Sequence, residues 1–201
     1  MTNYYSTGNI DEQISSTVVV RNLLQVAEGT DDTQRVGRRI FLRRLFLNAR
    51  IYPTSNSTIH NTTRIVIFFD KQANGSTPTI SDIFDNVNFM SVYDWNSVPK
   101  RYEIIYDSIR SFGGNWSQVN SASSEPQTGV IRLDIPLNRL VQYKGTTSAV
   151  TDIVSNSLWI LHKGNQTLAS DAGSNINYFC RVSYDDDRMI HKNTWDPPEI
   201  S

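Results

Sequence analysis

The sequence predicts an all-β fold, two sheets packed face to face, and three observations carry that expectation. Apolar residues recur at every second position over several segments, which puts successive side chains on opposite faces of a strand. These segments are rich in β-branched and aromatic residues and are bounded by Gly, Asn, Ser, Asp or Pro. The connections between them are long and polar, as in sandwiches whose loops make the contacts.

In chain order, residues 17–26, 38–51, 62–70 and 100–112 read as strands. The third holds the longest apolar run, Ile65-Val66-Ile67-Phe68-Phe69, far short of the roughly 20 residues of a membrane helix. In the fourth the apolar phase moves from Ile104 and Tyr106 to Ile109, which predicts a bulge. Ile131, Leu133, Ile135 and Leu137 alternate with polar positions that include Arg132 and Asp134, and residues 157–163 follow as another strand. The clearest alternation is Ile176, Tyr178, Cys180, Val182 and Tyr184 against Asn175, Asn177, Phe179, Arg181 and Ser183. An eighth strand is expected near residues 140–143. One helix is expected over 78–87, where Ile80, Ile83, Phe84 and Val87 follow helical spacing and Thr79 with Asp82 can form a capping box. Residues 1–15 read as an N-terminal arm, 16–192 as one domain and 193–201 as a tail.

A chain of 201 residues can bury its own core, so neither a metal nor a disulfide is required. The one cysteine, Cys180, cannot form an internal bridge, and its place on an apolar face reads as a core thiol. The N-terminus shows no basic region followed by an apolar stretch, so no signal peptide is expected. His60, His162 and His191 lie far apart, and the chain has no GxSxG, phosphate-binding loop or GxGxxG. Nothing in the sequence selects a catalytic group, and a non-enzymatic role without membrane insertion is expected.

The net charge of −1 hides a segregation. From Thr33 to Phe69 there is no acidic residue but seven arginines, and Asp185-Asp186-Asp187 is the densest acidic run, read as a solvated strand end. Arg35, Arg38, Arg39, Arg43, Arg44 and Arg50 are the candidate nucleic-acid ligands, since guanidinium groups pair with phosphate in a bidentate fork at any relevant pH. Strict alternation would put Arg38 and Arg44 on one face and Arg39 and Arg43 on the other. Two uses are open for them: a basic surface for a polyanion, or salt bridges between subunits.

Three blocks carry a family resemblance. Gly29-Thr30-Asp31-Asp32-Thr33-Gln34-Arg35-Val36-Gly37-Arg38-Arg39-Ile40 resembles the loop entering a core strand in capsid proteins of small icosahedral viruses, the plant satellite necrosis viruses and circular single-stranded DNA viruses. Residues 64–75 leading into Thr77-Pro78-Thr79, and residues 88–93 followed by 100–107, are similar to the same groups in order and spacing. The resemblance implies an eight-stranded jelly-roll sandwich with a short helix in a long connection. It also implies a capsid protein that self-assembles into a small icosahedral shell of sixty subunits around a short single-stranded genome, located in the virion and, during assembly, in the host cell. Such capsids usually begin with a basic arm, whereas residues 1–15 hold no Lys or Arg. Either that arm is missing here or the region from Arg35 to Arg50 does its work. Related shells can bind calcium through an acid directly after the loop glycine. Here that position is Thr30, so Asp31 and Asp32 become the candidate calcium ligands, and no other cofactor is implied. The alternative function is a carbohydrate-binding jelly-roll module, with Trp95, Trp116 and Trp195 as exposed rings.

Overall fold

The computed structural model describes residues 3–53, 61–86, 88, 90–98, 100–112, 128–166 and 174–186. Among them nine strands form two sheets: β1 (Asn3–Ile14), β2 (Val19–Asn22), β3 (Arg39–Pro53), β4 (Asn61–Asp70), β5 (Tyr102–Phe112), β6 (Gly129–Tyr143), β7 (Ile153–Ser155), β8 (Ser157–Gly164) and β9 (Ser174–Asp186). One sheet has the order β1-β9-β3-β6-β7, the other β2-β8-β4-β5.

The pairing is nested. β1 pairs with β9, β2 with β8, β3 with β6 and β4 with β5, all antiparallel. That is one long antiparallel ribbon wound into two sheets, and winding it adds the pairs β3–β9 and β4–β8. The all-β jelly roll expected from the sequence is the fold, with short β7 as an added edge.

The eight main strands are not the eight read from the sequence. Residues 3–14, expected to be an arm, form β1, because Ile10 and Ile14 point to the core while Asn9, Asp11 and Gln13 stay outside. That alternation is interrupted by a register shift between Ser6 and Asn9, where Gly8 has φ +73°, so the apolar pattern in the sequence is weak. The separate strand near 140–143 is the second half of β6, which passes Asn138 at φ 46° without ending. The bulge expected in β5 is present. Ile67 faces Tyr106 and Phe68 faces Ile104, leaving Ile105 as the extra residue.

The expected helix over 78–87 is a single 3-10 turn at Ile80–Asp82. Its cap forms as read, since Asp82 Oδ2 accepts the Thr79 amide at 2.7 Å and the Thr79 hydroxyl at 2.8 Å. The helix stops because the next backbone groups bond across the loop: Asp85 N to Val92 O at 3.1 Å and Asp94 N to Ile83 O at 2.9 Å. These cross-loop bonds seat Ile83 and Phe84 on the second sheet, where they are almost fully buried.

The main core lies between the sheets and contains Ile40, Leu45 and Leu47 from β3, Ile65, Ile67 and Phe69 from β4, and Ile176, Tyr178, Cys180 and Val182 from β9. Burial of the Cys180 thiol pushes its pKa up to about 12, as a core thiol requires. A second cluster covers the far side of the four-stranded sheet: Val66, Phe68, Trp159 and Leu161 lie under Ile83 and Phe84. Both faces of β4 and β8 are therefore apolar, which explains their continuous hydrophobic runs. Among the described residues nothing covers the outer face of the five-stranded sheet in this way, and its strands alternate. Among the described residues no helix is long and apolar enough to cross a membrane.

Candidate nucleic-acid interface

The uncovered face is built row by row from the strand registers. Tyr4, Ser183, Arg44 and Pro136 form one row across β1, β9, β3 and β6. The next holds Ser6, Arg181, Phe46 and Asp134, then Asn9, Phe179, Asn48 and Arg132. Asp11, Asn177, Arg50 and Val130 follow, and Gln13, Asn175 and Tyr52 close the series. Cross-strand neighbours in a row are about 5 Å apart at Cβ and diagonal neighbours about 7–8 Å. Guanidinium groups and rings thus interleave over four strands. Arg181 sits over the Tyr4 ring at 4.8 Å and near Phe179 at 5.7 Å, Arg50 lies over Tyr52 at 5.5 Å, and Arg44 lies over Phe46 at 5.6 Å.

Two carboxylates share the face. Asp134 takes Arg44 in a fork, at 2.8 Å to Nε and 2.7 Å to the second nitrogen, and Asp11 accepts the Tyr52 hydroxyl at 3.3 Å. Among the described residues no carboxylate lies within ion-pair distance of Arg50, Arg132 or Arg181. All three are exposed on the open face.

The structure divides the arginines named from the sequence. Arg35 is fully buried and is not a phosphate ligand. Its Nε donates to Val26 O at 3.2 Å, its other nitrogens donate to Gly37 O and Gly145 O, and its plane lies 4.2 Å from the Tyr143 ring centre. A guanidinium so enclosed ties the loop over residues 26–37 to the β6 end, and no polyanion can reach it. Arg38 is exposed where β3 begins, and Arg39 is half-buried. Strict alternation fails at Arg43, the extra residue of a bulge against β9, so Arg43 and Arg44 are both exposed. Arg43 pairs with Asp185, Nε to Oδ2 at 2.5 Å. The acidic run is thus no solvated strand end at its first two positions: Asp185 and Asp186 are buried, and Asn3 reaches Asp186 at 3.4 Å. Asp187 lies outside the described residues. Arg44 and Arg50 are the candidates that the fold brings onto the open face.

Sequence reasoning missed Arg132, Arg181 and the rings between them. The signal was present in the polar half of the β9 alternation and in Arg132 opposite Asn48, but only the register shows that these half-strands share one surface. It also missed Arg64, which is almost fully buried, forks onto Asp107 at 3.0 and 2.6 Å and donates to Ser91 O at 2.7 Å. Arg64 packs 4.4 Å from the Phe84 ring centre and so fastens the β4–β5 connection to its sheet.

Asp31 and Asp32 are exposed in the loop before β3, where Gln34 N donates to Asp31 O at 2.9 Å and Tyr4 N to Asp32 O at 3.3 Å. Among the described residues no three His, Cys, Asp or Glu side chains gather closely enough to hold a metal. Of the rings proposed for sugar binding, Trp95 is exposed on the β4–β5 connection beside exposed Met90 and Val92, and Trp116 and Trp195 lie outside the described residues.

A family model described as satellite tobacco necrosis virus coat protein matches residues 6–180. The coat protein of Maize white line mosaic Satellite virus is 27% identical over 139 residues, which are 68% of this chain and 59% of that protein. The chain thus spans less than two thirds of that relative's length. A chain from the structure of infectious bursal disease virus Gx strain aligns over 99% of this chain and 45% of its own length, at 9% identity and a TM-score of 0.26, too low a likeness to bear on the argument. The family match runs from within β1 to within β9, and the chain belongs to the satellite tobacco necrosis virus coat protein family, whose role is structural.

Proposed function

We propose that copies of this coat protein close into an icosahedral shell of sixty subunits, with the outer face of the five-stranded sheet turned inward against a single-stranded genome. The observation that carries this reading is the interleaving of Arg50, Arg132 and Arg181 with Phe46, Phe179 and Tyr52 on a sheet face that no described residue covers. Cations along such a surface bind phosphates without reading sequence, and rings between them offer stacking planes. One subunit supplies a modest basic patch. A closed shell repeats it over a single concave lining, where the charges act together on one polymer.

The other sheet face is a poorer candidate, because Ile83, Phe84 and Tyr93 already occupy it. Calcium at Asp31 and Asp32 is proposed as a site completed across a subunit contact. One subunit offers two exposed carboxylates there, while calcium takes six to eight oxygens. Electron microscopy of the purified protein, with the ratio of absorbance at 260 and 280 nm, tests the main proposal. Closed particles carrying nucleic acid are expected, and a protein that stays monomeric in every salt and pH condition refutes it.

A further inference from the structure

Among the described residues the open face includes a concave spot. Asn48, Ala49, Arg50, Val130, Arg132, Asn177 and Phe179 line a shallow depression of about 440 Å³, within the range of small-molecule sites. From its geometry we infer a nucleotide subsite that holds one unit of an unpaired strand, the phosphate between Arg50 and Arg132 and the base against Phe179. This deepens the proposed genome-binding role and rests on it.

The placement follows from register. Asn48 of β3 faces Arg132 on one side and Phe179 on the other, and Arg50, one row away, faces Asn177 and Val130. Arg50 and Arg132 are therefore diagonal neighbours, about 7–8 Å apart along the sheet, close enough for two long side chains to converge on one phosphate. Asn48 and Asn177 stand between the cations and the ring, and their amides offer both donors and acceptors to a base edge or a sugar hydroxyl. Phe179 is half-exposed, with Arg181 against it at 5.7 Å, and a ring presented this way stacks on any base. A duplex hides its base faces within its own stack, so the ring selects for single strands. Ala49 lies at the floor, with its own side chain turned into the core between the sheets.

The test uses full-length subunits held below the concentration at which they assemble, with three probes: single-stranded oligothymidylate, the matching oligo(dA)·oligo(dT) duplex and inorganic polyphosphate. Wild type is expected to bind oligothymidylate more tightly than the duplex. Phe179→Leu should weaken oligothymidylate binding about tenfold with an unchanged salt slope, and should leave polyphosphate binding as it was. Arg132→Gln should weaken both and lower the logarithmic salt slope for oligothymidylate by about 0.7, the loss of one phosphate contact. Phe179→Tyr keeps a ring and should keep the affinity, while Asn177→Asp brings a carboxylate to the phosphate and should weaken both single-chain probes. If Phe179→Leu fails to fold, the wild-type preference between oligothymidylate and the duplex decides the matter. If Phe179→Leu binds oligothymidylate like wild type, or if wild type prefers the duplex, the subsite is overturned and general polyanion binding still stands. If wild type binds none of the three probes, the genome-binding role falls with it.

Discussion

Arg35 is the residue on which sequence and structure disagree most sharply, and its replacement by Met separates the two readings. Met keeps much of the stem's volume and removes the guanidinium, leaving the carbonyls of Val26, Gly37 and Gly145 without their donor. Hydrogen bonds from a charged group contribute about 1.5–3 kcal/mol each, so three of them amount to roughly 4.5–9 kcal/mol. Against that stands relief of several kcal/mol of desolvation, since the charge is enclosed and its nearest carboxylate, Glu28, lies 3.5 Å away and partly in water. The net expected loss is about 3 kcal/mol, within the usual range for breaking a buried charge network. For a domain of this size that lowers Tm by roughly 6–12 °C. Urea unfolding of the dissociated subunit, followed by fluorescence of buried Trp159, measures it. Arg35→Lys retains the charge and cannot reach all three carbonyls, so it should fall between wild type and Met. An unchanged midpoint in Arg35→Met, together with lower nucleic-acid content in particles, would falsify the structural assignment and restore Arg35 as a phosphate ligand.

Three further outcomes are expected. Asp134→Asn releases Arg44 from its fork, so polyanion binding should tighten and its salt dependence steepen, with the urea midpoint of the subunit nearly unchanged because the pair is exposed. Glu12 lies below its ordinary pKa, chiefly through the 2.8 Å hydrogen bond to buried His162 and further through Arg21. A carboxylate held low in the fold contributes stability above its unfolded value, and that contribution disappears as pH falls through the folded value. Wild type should therefore lose stability on acidification below about pH 4.5, and Glu12→Gln should show a flatter profile in urea midpoints over the same interval. Assembled shells treated with EDTA should melt at a lower temperature if Asp31 and Asp32 hold calcium across a contact. Unchanged melting removes that proposal.

How far the sequence could be read depended on what each strand touches. β3 and β9 each have one face in the core and one in solvent, so their alternation was plain, and the polar half of β9 already contained Asn177, Phe179 and Arg181. β4 was legible as a buried strand from its apolar run, but the run does not say what covers the second face. The answer, Ile83 and Phe84 held by Arg64, comes from a connection whose helical spacing was overruled by cross-loop hydrogen bonds. β1 shows little of its strand character in the sequence because Gly8 and its register shift break the alternation. Of the six arginines named from the sequence, the fold brings Arg44 and Arg50 onto the open face. Bulging at Arg43 reverses the expected phase, loop burial removes Arg35, and Arg132 and Arg181 join from strands some 80 and more residues later through pairing that no local pattern encodes.

Photo-crosslinking of nucleic acid to protein inside purified particles, followed by mass spectrometry of the adducts, tests most directly which surface meets the genome. Adducts on β3, β6 and β9 at Phe46, Tyr52, Phe179 and their neighbours are the expected result. Adducts confined to the β4–β5 connection around Trp95, with none on those three strands, would mean that the opposite side of the subunit faces inward.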